Sequence, residues 1–286
     1  MAKENTFSGM RRRFAPLVRP ILERFSPVRA LAVGILKCKQ KGRFERCGYS
    51  FVLPSGDFGV TLETESTGDY EPVTTKLIES MLTDGMTFID IGAHVGLFAL
   101  PASLWVGDRG RVVAFEPHPD NYSLLVCNAE SNGIEIELVN AAVSDQSGNV
   151  QLHASAFNSG DHQLFHSGKR KAFTVACVTL DEFLETGTRV DMVKIDVQGA
   201  EAAVLRGMER ILTENDAVTL IWELSPSQLR EAGESAESVL NWLGEMGFSF
   251  TIVDDVSGDI EPATISEVLE RCPSDSYVNI MSNRNA

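Results

Sequence analysis

Seven short apolar runs recur between residues 87 and 281, separated by polar or helix-patterned stretches. The runs are nearly continuous rather than alternating, which is typical of strands buried on both faces of a mostly parallel sheet. They predict strands at Thr87–Ile91, Arg111–Phe115, Ile136–Asn140, Met192–Asp196, Ala217–Leu224, Ser249–Val253 and Tyr277–Met281. Because helical patterns lie between them, we expect an α/β fold with a doubly wound sheet and right-handed crossovers.

Start and stop signals predict where the intervening helices lie. Pro119 suits a first helical turn and Gly133 a stop, while the spacing of apolar residues predicts helices at Leu97–Trp105 and Ala200–Leu212. Two pairs, Thr179 with Glu182 and Ser225 with Gln228, match the capping-box pattern.

A long insertion separates the third strand from the fourth. Residues 144–190 far exceed the dozen or so that a simple crossover needs. Alternating segments at 150–153 and 173–178 predict an inserted β-ribbon with a polar tip at 158–162. Long insertions of this kind usually cover or line a site.

Two segments precede the predicted sheet domain of residues 71–286. Alternating residues before and after the turn at 54–57 predict a β-hairpin extension over 47–70. Residues 1–46 form a basic arm in which apolar residues from Phe14 to Phe25 recur at helical spacing between prolines. Such an arm could lie on an anionic membrane or contact a lipid-linked acceptor, or it could simply pack against the body.

Charge is distributed unevenly along the 286 residues. Residues 1–46 carry 12 Lys and Arg against three Glu, whereas the other 240 residues carry 13 basic and 37 acidic side chains. An acidic body repels nucleic-acid phosphates, so we expect no nucleic-acid partner. The five scattered cysteines lack metal-ligand spacing, which favours a reduced, cytoplasmic setting, with membrane association through the arm alone.

The first predicted strand ends in a turn that suits a nucleoside cofactor. Asp90-Ile91-Gly92-Ala93-His94-Val95-Gly96 runs into an apolar helix, and Glu116 ends the second strand at the position from which a carboxylate can accept ribose hydroxyls. The dinucleotide fingerprint G-x-G-x-x-G is absent, and Asp90 would repel a pyrophosphate. S-adenosylmethionine has no phosphate and carries cationic groups, so the charges favour it.

The next strands extend the predicted cofactor pocket. Pro117 follows the ribose-binding acid, and the third strand ends in Asn140, Ala141 and Ala142, where small residues would flank an adenine ring and a polar group could meet its edge. Ala93 and His94 belong to the turn itself.

Several motifs in this order resemble the FkbM family of S-adenosylmethionine-dependent methyltransferases. The segments that carry the resemblance are Tyr70-Glu71, Phe88–Gly96, Val112–Asn121, Ala141–Asp145, Asn158–His162, Val178–Phe183 and Val193–Met208. The resemblance implies a class I (Rossmann-like) methyltransferase fold with sheet order 3-2-1-4-5-7-6 and an antiparallel last strand. It further implies methyl transfer to a hydroxyl of a sugar, glycolipid or secondary metabolite, and a role for Glu71 at the methionine end of the cofactor.

Two positions depart from the family pattern. His94 stands where many relatives have Asn, and Gln198 stands where many have Glu, so a catalytic base is not expected at position 198. Asn158, Asp161, Lys194 and Gln198 are the residues expected to contact the acceptor.

Three residues are candidates for the base that removes the acceptor proton. His162 has a suitable side chain, which Asp161 could orient, although it could also be a surface histidine. Asp196 ends the fourth strand and could instead cap the next helix; alternation places Lys194 on its face. Glu223, near the end of the fifth strand, is the third. Metal-ligand spacing is absent, so no metal is expected.

Other classes of protein remain open at this point. An NAD(P)-linked oxidoreductase lacks its expected glycine fingerprint, and a nucleic-acid methyltransferase conflicts with the acidic body. A non-catalytic, membrane-recruited binding module with the same fold is a third alternative, because a fold does not by itself establish an activity.

Overall fold

The computed structural model describes residues 30, 32–35, 37, 40–156, 158–165, 170–273 and 276–284. Its strands, in chain order, are β1 (Arg43–Arg46), β2 (Tyr49–Val52), β3 (Thr87–Ile91), β4 (Arg111–Phe115), β5 (Glu137–Val139), β6 (Ala142–Val143), β7 (Gly148–Ala154), β8 (Lys171–Val178), β9 (Met192–Ile195), β10 (Thr219–Leu224), β11 (Phe248–Val253), β12 (Ile260–Ala263) and β13 (Val278–Arg284). Its helices are α1 (Val60–Thr67), α2 (Pro72–Met81), α3 (Ala99–Val106), α4 (Pro119–Ser131), α5 (Leu180–Phe183), α6 (Glu201–Arg206), α7 (Glu209–Glu214), α8 (Pro226–Glu231), α9 (Ala236–Glu245) and α10 (Ile265–Arg271).

The central mixed sheet has the order β12-β11-β13-β10-β9-β3-β4-β5. Along the sheet, the neighbouring strands β5, β4, β3, β9 and β10 pair in parallel. Strand β13 pairs antiparallel with both β10 and β11. All seven predicted strands are present, and their order confirms 3-2-1-4-5-7-6 with an antiparallel last strand. One edge strand, β12, was not predicted; it is largely exposed and pairs only with β11.

The core lies on both faces of this sheet. Strands β9 and β10 are buried at every position, which is why their sequences are almost continuously apolar. Trp222 on β10 is buried, and its indole N–H donates to the hydroxyl of Ser282 on β13 at 2.9 Å. The sheet therefore forms a rigid platform whose strand ends can carry a site.

The predicted helix at Ala200–Leu212 is divided into α6 and α7. A Cβ on Gly207 would overlap the backbone of Ser144, and the Gly207 carbonyl accepts the backbone N–H of Asp181 at 3.0 Å. The Asp181 carboxylate then accepts the N–H groups of Arg210 and Ile211, which begins the second helix.

Neither predicted capping box is complete. Thr179 accepts the Glu182 backbone N–H at 3.1 Å, but the Thr179 N–H donates to the Ser147 hydroxyl instead of the Glu182 side chain. Ser225 makes no side-chain cap, and its hydroxyl faces Ser227 instead. Pro226 does occupy the first turn of α8.

The predicted second strand of the N-terminal hairpin was wrong. The hairpin consists of β1 and β2, joined at Cys47 and Gly48, whereas α1 begins at Val60, where a strand was expected. Side chains of α4 hold β2 in place: Asn132 accepts the N–H of Ser50 and Asn128 that of Val52, at 2.9 and 2.7 Å.

Most of the basic arm lies outside the described residues, including residues 1–29. Its last residue, Arg46, belongs to the folded body. The Arg46 guanidinium is buried and donates to the carbonyls of Leu97 and Tyr70 and to the Thr75 hydroxyl. The predicted boundary after residue 46 therefore falls inside the hairpin. Within the described part of the chain, no helix is long and apolar enough to cross a membrane.

The inserted β-ribbon is present as predicted. Strands β7 and β8 pair antiparallel over their whole length, and β6 adds a short parallel strand beside β8. The tip around Asn158–Gly160 folds back towards the carboxyl ends of β3 and β4, and a Cβ on Gly59 would overlap the Asn158 side chain. The insertion therefore covers the sheet edge where the predicted cofactor residues lie.

Candidate active site

The turn after β3 is shaped by residues with positive φ. Gly92, His94 and Gly96 have φ values of 85°, 54° and 94°. The N–H groups of Gly92 and Ala93 both donate to the Phe115 carbonyl at 2.9 Å, which ties the turn to β4. A Cβ on Gly92 would overlap the carbonyl oxygen of Asp196, so only glycine fits there.

Gly96 is required for a different contact from the one expected. The sequence suggested close packing of helix against strand, but a Cβ on Gly96 would overlap the side chains of Leu100 and Leu125. The glycine thus lets α3 and α4 approach each other beside the turn.

Glu116, directly after β4, is buried beneath this turn. Its carboxylate accepts the backbone N–H groups of His94 and His118, each at 2.9 Å. Burial nevertheless outweighs these hydrogen bonds and raises the pKa of Glu116 to about 8. A ligand that donates hydroxyl hydrogens to this carboxylate would favour its ionised form.

Cofactor binding should therefore release a proton near neutral pH. Ribose hydroxyls that donate to Glu116 would stabilise its ionised form, so affinity for S-adenosylhomocysteine should rise with pH up to about 8 and then level off. Calorimetry at pH 7 in two buffers of different ionisation enthalpy measures the released proton. Glu116→Gln should reduce both the affinity for S-adenosylhomocysteine and the number of protons released on binding. Unchanged proton release in this variant would show that the proton comes from another group.

A cleft of about 630 Å³, counted to its open mouth, extends from Glu116 to Asp196. The predicted site residues that line it are Gly92, His94, Glu116, Pro117, Ala141, Ala142, His162, Asp196 and Gln198. Asn140 is exposed, and its amide donates to the Glu116 carbonyl at 2.8 Å, so it braces the cleft wall instead of facing the ligand.

Behind the cleft lies a buried cluster of acids around one lysine. Lys194 on β9 lies 3.6 Å from the Asp196 carboxylate and 4.5 Å above the Phe98 ring. Burial lowers its pKa, but the neighbouring carboxylates outweigh this and raise it to about 12. Burial raises the pKa of Glu71 to about 7 and that of Asp90 to about 6. Neither acid lines the cleft itself, but a cation bound beside them would stabilise their ionised forms.

Asp196 is the acid of this cluster that reaches the cleft. Its side chain is 19% exposed, and its Oδ1 accepts the Gln198 amide at 2.7 Å. The prediction that it caps the next helix was wrong: the N-cap is Ala200, and the Glu201 carboxylate accepts the Gly199 N–H at 3.0 Å. Asp196 is therefore available to a ligand.

Glu223 is placed behind Asp196 and is more deeply buried. It is 8% exposed and accepts the same Gln198 amide at 3.1 Å. Burial, followed by repulsion from Asp196, raises the pKa of Glu223 well above its ordinary value. This shift favours the neutral form of Glu223, and Glu223 does not line the cleft, so it is the weaker candidate for the base.

The surroundings of His162 do not suit a base either. Its Nδ1 accepts the Ser155 N–H at 3.1 Å, and its ring stacks on His118 with centroids 4.2 Å apart. Burial lowers the pKa of His162 to about 2. Asp161, expected to orient it, instead forms a buried ion pair with Arg170 at 2.8 Å.

The remaining predicted acceptor residue, Asn158, shapes the tip of the insertion. Its Oδ1 accepts the Gly160 N–H at 3.1 Å, and its backbone N–H donates to the Ser155 hydroxyl. Neither Asn158 nor Asp161 lines the cleft.

Ser159 is a cleft residue that the sequence did not reveal. Its N–H donates to Asp57 at 2.6 Å, its carbonyl accepts the Asn121 amide, and its hydroxyl lies 2.8 Å from Nε2 of His94. Burial lowers the pKa of His94 to about 4, so this ring is neutral at pH 7. A serine in a polar loop gives no signal, and Asp57 lies 102 residues away in the chain.

The sheet order, the glycine turn and the acid after β4 define a class I S-adenosylmethionine-dependent methyltransferase. Residues 90–250 match the model of the methyltransferase FkbM domain, which is more than half of the chain. The chain belongs to the FkbM methyltransferase family. This assignment excludes the oxidoreductase alternative.

A curated relative shares part of this domain. Hexuronic acid methyltransferase AglP of Haloferax volcanii is 28% identical over 145 residues, which is 50% of this chain. The match spans 57% of AglP, so it covers little more than half of that protein.

Solved methyltransferase structures also resemble the chain at low identity. TYW2 of M. jannaschii in complex with AdoMet is 10% identical with a TM-score of 0.42, covering 85% of this chain and 86% of TYW2. A SAM-dependent O-methyltransferase of Thermotoga maritima is 14% identical with a TM-score of 0.40, covering 78% and 70% respectively. The family assignment rests on the domain match and the site, not on these likenesses.

Proposed function

We propose that the protein transfers the methyl group of S-adenosylmethionine to a hydroxyl oxygen of a sugar or sugar-containing acceptor. The observation that carries the proposal is Asp196: a carboxylate at the cleft surface, held on one oxygen by Lys194 and on the other by Gln198. The name of the relative AglP, a hexuronic acid methyltransferase, supports a sugar acceptor.

The residues along the cleft fit the chemistry of this cofactor. Glu116 would accept the ribose hydroxyls, and Ala141 and Ala142 leave room for the adenine ring. At the other end, Glu71 and Asp90 would supply negative charge for the cationic methionine portion. The turn containing Gly92 connects the two ends.

When bound, S-adenosylmethionine supplies a methyl group that the acceptor oxygen takes as the carbon–sulfur bond breaks and its electron pair remains on sulfur. Asp196 would accept the acceptor hydroxyl proton, which a weak nucleophile must lose. Lys194 offsets the Asp196 charge before that transfer. Val60, Tyr70 and Leu164 line the cleft with apolar surface and would limit the access of water.

The direct test uses S-adenosylmethionine with a deuterated methyl group. Incubation with a panel of hexuronic acids, neutral sugars, glycosides and lipid-linked sugars should label a hydroxyl oxygen of at least one acceptor, located by fragmentation mass spectrometry. Label found only on nitrogen or carbon, or no label on any member of the panel, would contradict the proposal.

We further propose that the basic arm contacts an anionic membrane or the anionic carrier of a lipid-linked acceptor. The support is its charge: residues 1–29 carry seven Lys and Arg against two Glu, ahead of an acidic body. Arg43 to Arg46 are excluded from this role, because they form β1 and Arg46 is buried.

Removal of residues 1–29 should abolish binding to anionic vesicles. The truncation spares Gln40, whose side chain accepts the Gly56 N–H at 2.7 Å, so this contact with the body is kept. Flotation with phosphatidylserine-containing vesicles should recover the full chain but not the truncated one, and neutral phosphatidylcholine vesicles should recover neither. Equal recovery of both chains would show that residues 1–29 are not needed for membrane binding.

A further inference from the structure

A chain of two glutamine side chains connects α8 to the acids of the active site. Gln228 on α8 donates from Nε2 to Oε1 of Gln198 at 3.0 Å. Gln198 in turn donates from Nε2 to Asp196 Oδ1 at 2.7 Å and to Glu223 Oε1 at 3.1 Å. One amide nitrogen therefore serves two carboxyl groups that lie on adjacent strands.

The direction of this chain is set by the two acids and supported by Gln228. An amide side chain has a donor and an acceptor of similar shape, and rotation by half a turn exchanges them. With the orientation reversed, the oxygen of Gln198 would face two acids and repel the ionised one. Gln228 supports the observed orientation, because its N–H group is the partner of the Gln198 oxygen, whereas its own Oε1 is buried without a hydrogen-bond partner in the described part of the chain.

The backbone around Gln198 also holds the amide in place. Gln198 has a φ of 53°, in the left-handed region, and a Cβ on the following Gly199 would lie 3.0 Å from both Cβ and the carbonyl oxygen of Gln228. The loop and α8 are thus in close contact, which fixes the distance between the two glutamines.

We propose that Gln228 is a positioning residue for methyl transfer, acting through Gln198 to hold the Asp196 carboxylate towards the acceptor hydroxyl. This inference rests on the proposed function, because it takes Asp196 as the proton acceptor. Gln228 itself does not line the cleft. Its removal should therefore affect the chemical step and leave cofactor binding largely intact.

The charged and titratable groups around Asp196 define the setting for a pH test. They are Lys194 on the same strand, Asp90 on β3, Glu223 on β10, Glu71 before α2, His94 in the glycine turn and Glu201 on α6. Gln228→Met changes none of these groups and closely preserves side-chain length. A change in the pH profile would then follow from the lost orientation of Gln198.

The experiment compares Gln228→Met with Gln151→Met, a matched control on an exposed glutamine that donates to Thr174 in the inserted ribbon. Gln228→Met should lower kcat about tenfold with an unchanged KM for S-adenosylmethionine, and should move the acid limb of the pH–rate profile, because the Gln198 amide that donates to Asp196 loses its own partner. Gln151→Met should behave as wild type.

Side-chain amide NMR provides a readout that needs no acceptor. The Gln198 NH₂ resonances, assigned by their loss in Gln198→Met, should shift towards those of free glutamine in Gln228→Met. Gln228→Leu, which removes the donor without adding a charge or an acceptor, is the second variant if Gln228→Met does not fold. Unchanged Gln198 resonances, or an unchanged kcat and pH profile, would overturn the inference.

Failure of the proposed function gives a different pattern. If Asp196→Asn abolishes transfer while the Gln228 variants retain the wild-type profile, only the positioning role is wrong. If Asp196→Asn is fully active, the assignment of Asp196 as the base is wrong. The positioning role of Gln228 is then wrong as well.

Discussion

Asp196→Asn should lower kcat by about 10² to 10⁴, the range that a general base contributes, while affinity for S-adenosylhomocysteine stays nearly unchanged. The substitution keeps the shape of the side chain and the Oδ1 that accepts the Gln198 amide at 2.7 Å, but removes the ability to take a proton. Steady-state kinetics with an identified acceptor measures the change in kcat. Calorimetry with S-adenosylhomocysteine measures the change in affinity.

Two further variants separate this effect from simple loss of a carboxylate. Asp145→Asn is the matched control, because Asp145 forms a surface ion pair with Arg206 and should not affect transfer. Glu223→Gln should cost far less than Asp196→Asn, since Glu223 does not line the cleft and a glutamine keeps the oxygen that accepts the Gln198 amide. A larger loss of kcat in Glu223→Gln than in Asp196→Asn would assign the role of the base to Glu223 instead of Asp196.

Gly92→Ala should destabilise the fold and abolish cofactor binding. A non-glycine residue at φ 85° costs about 1–2 kcal/mol, and the overlap with the Asp196 carbonyl adds about 1–3 kcal/mol of overpacking. Gly92 contacts Asp196, the residue that would accept the proton. An alanine at position 92 must therefore displace either the glycine turn or Asp196. Urea denaturation and calorimetry with S-adenosylhomocysteine measure both losses.

Gly133→Ala provides the matched control for this prediction. Gly133 has a φ of 66° but no atom within 4 Å of an added Cβ. Its substitution should cost only the conformational term, about 1–2 kcal/mol, and leave cofactor affinity unchanged. Equal stability losses in the two variants would show that the contact with Asp196 has no energetic importance.

The sheet could be predicted because the sequence signals that define its strands and the neighbouring helices are local. Fully buried strands such as β9 and β10 leave continuous apolar runs, and proline and glycine mark the ends of α4. The glycine turn and the acid after β4 could be predicted for a similar reason: each is a requirement of backbone conformation or charge at one point in the chain.

The parts that could not be predicted depend on contacts distant in sequence. Val60–Thr67 alternates like a strand but forms a helix, with the Asp57 carboxylate accepting the Thr61 N–H at 2.8 Å. His162 has the intrinsic chemistry of a base, but its stacking on His118 and its burial remove that capacity. Sequence pattern supplies residue type, whereas pKa and orientation follow from the packed environment.

A crystal structure of the protein with S-adenosylhomocysteine tests the placement of cofactor and base most directly. The ribose hydroxyls should donate to the Glu116 carboxylate, and the sulfur should lie at the Asp196 end of the cleft. A complex in which the ribose contacts other residues, or in which the sulfur lies away from Asp196, would contradict the site described above.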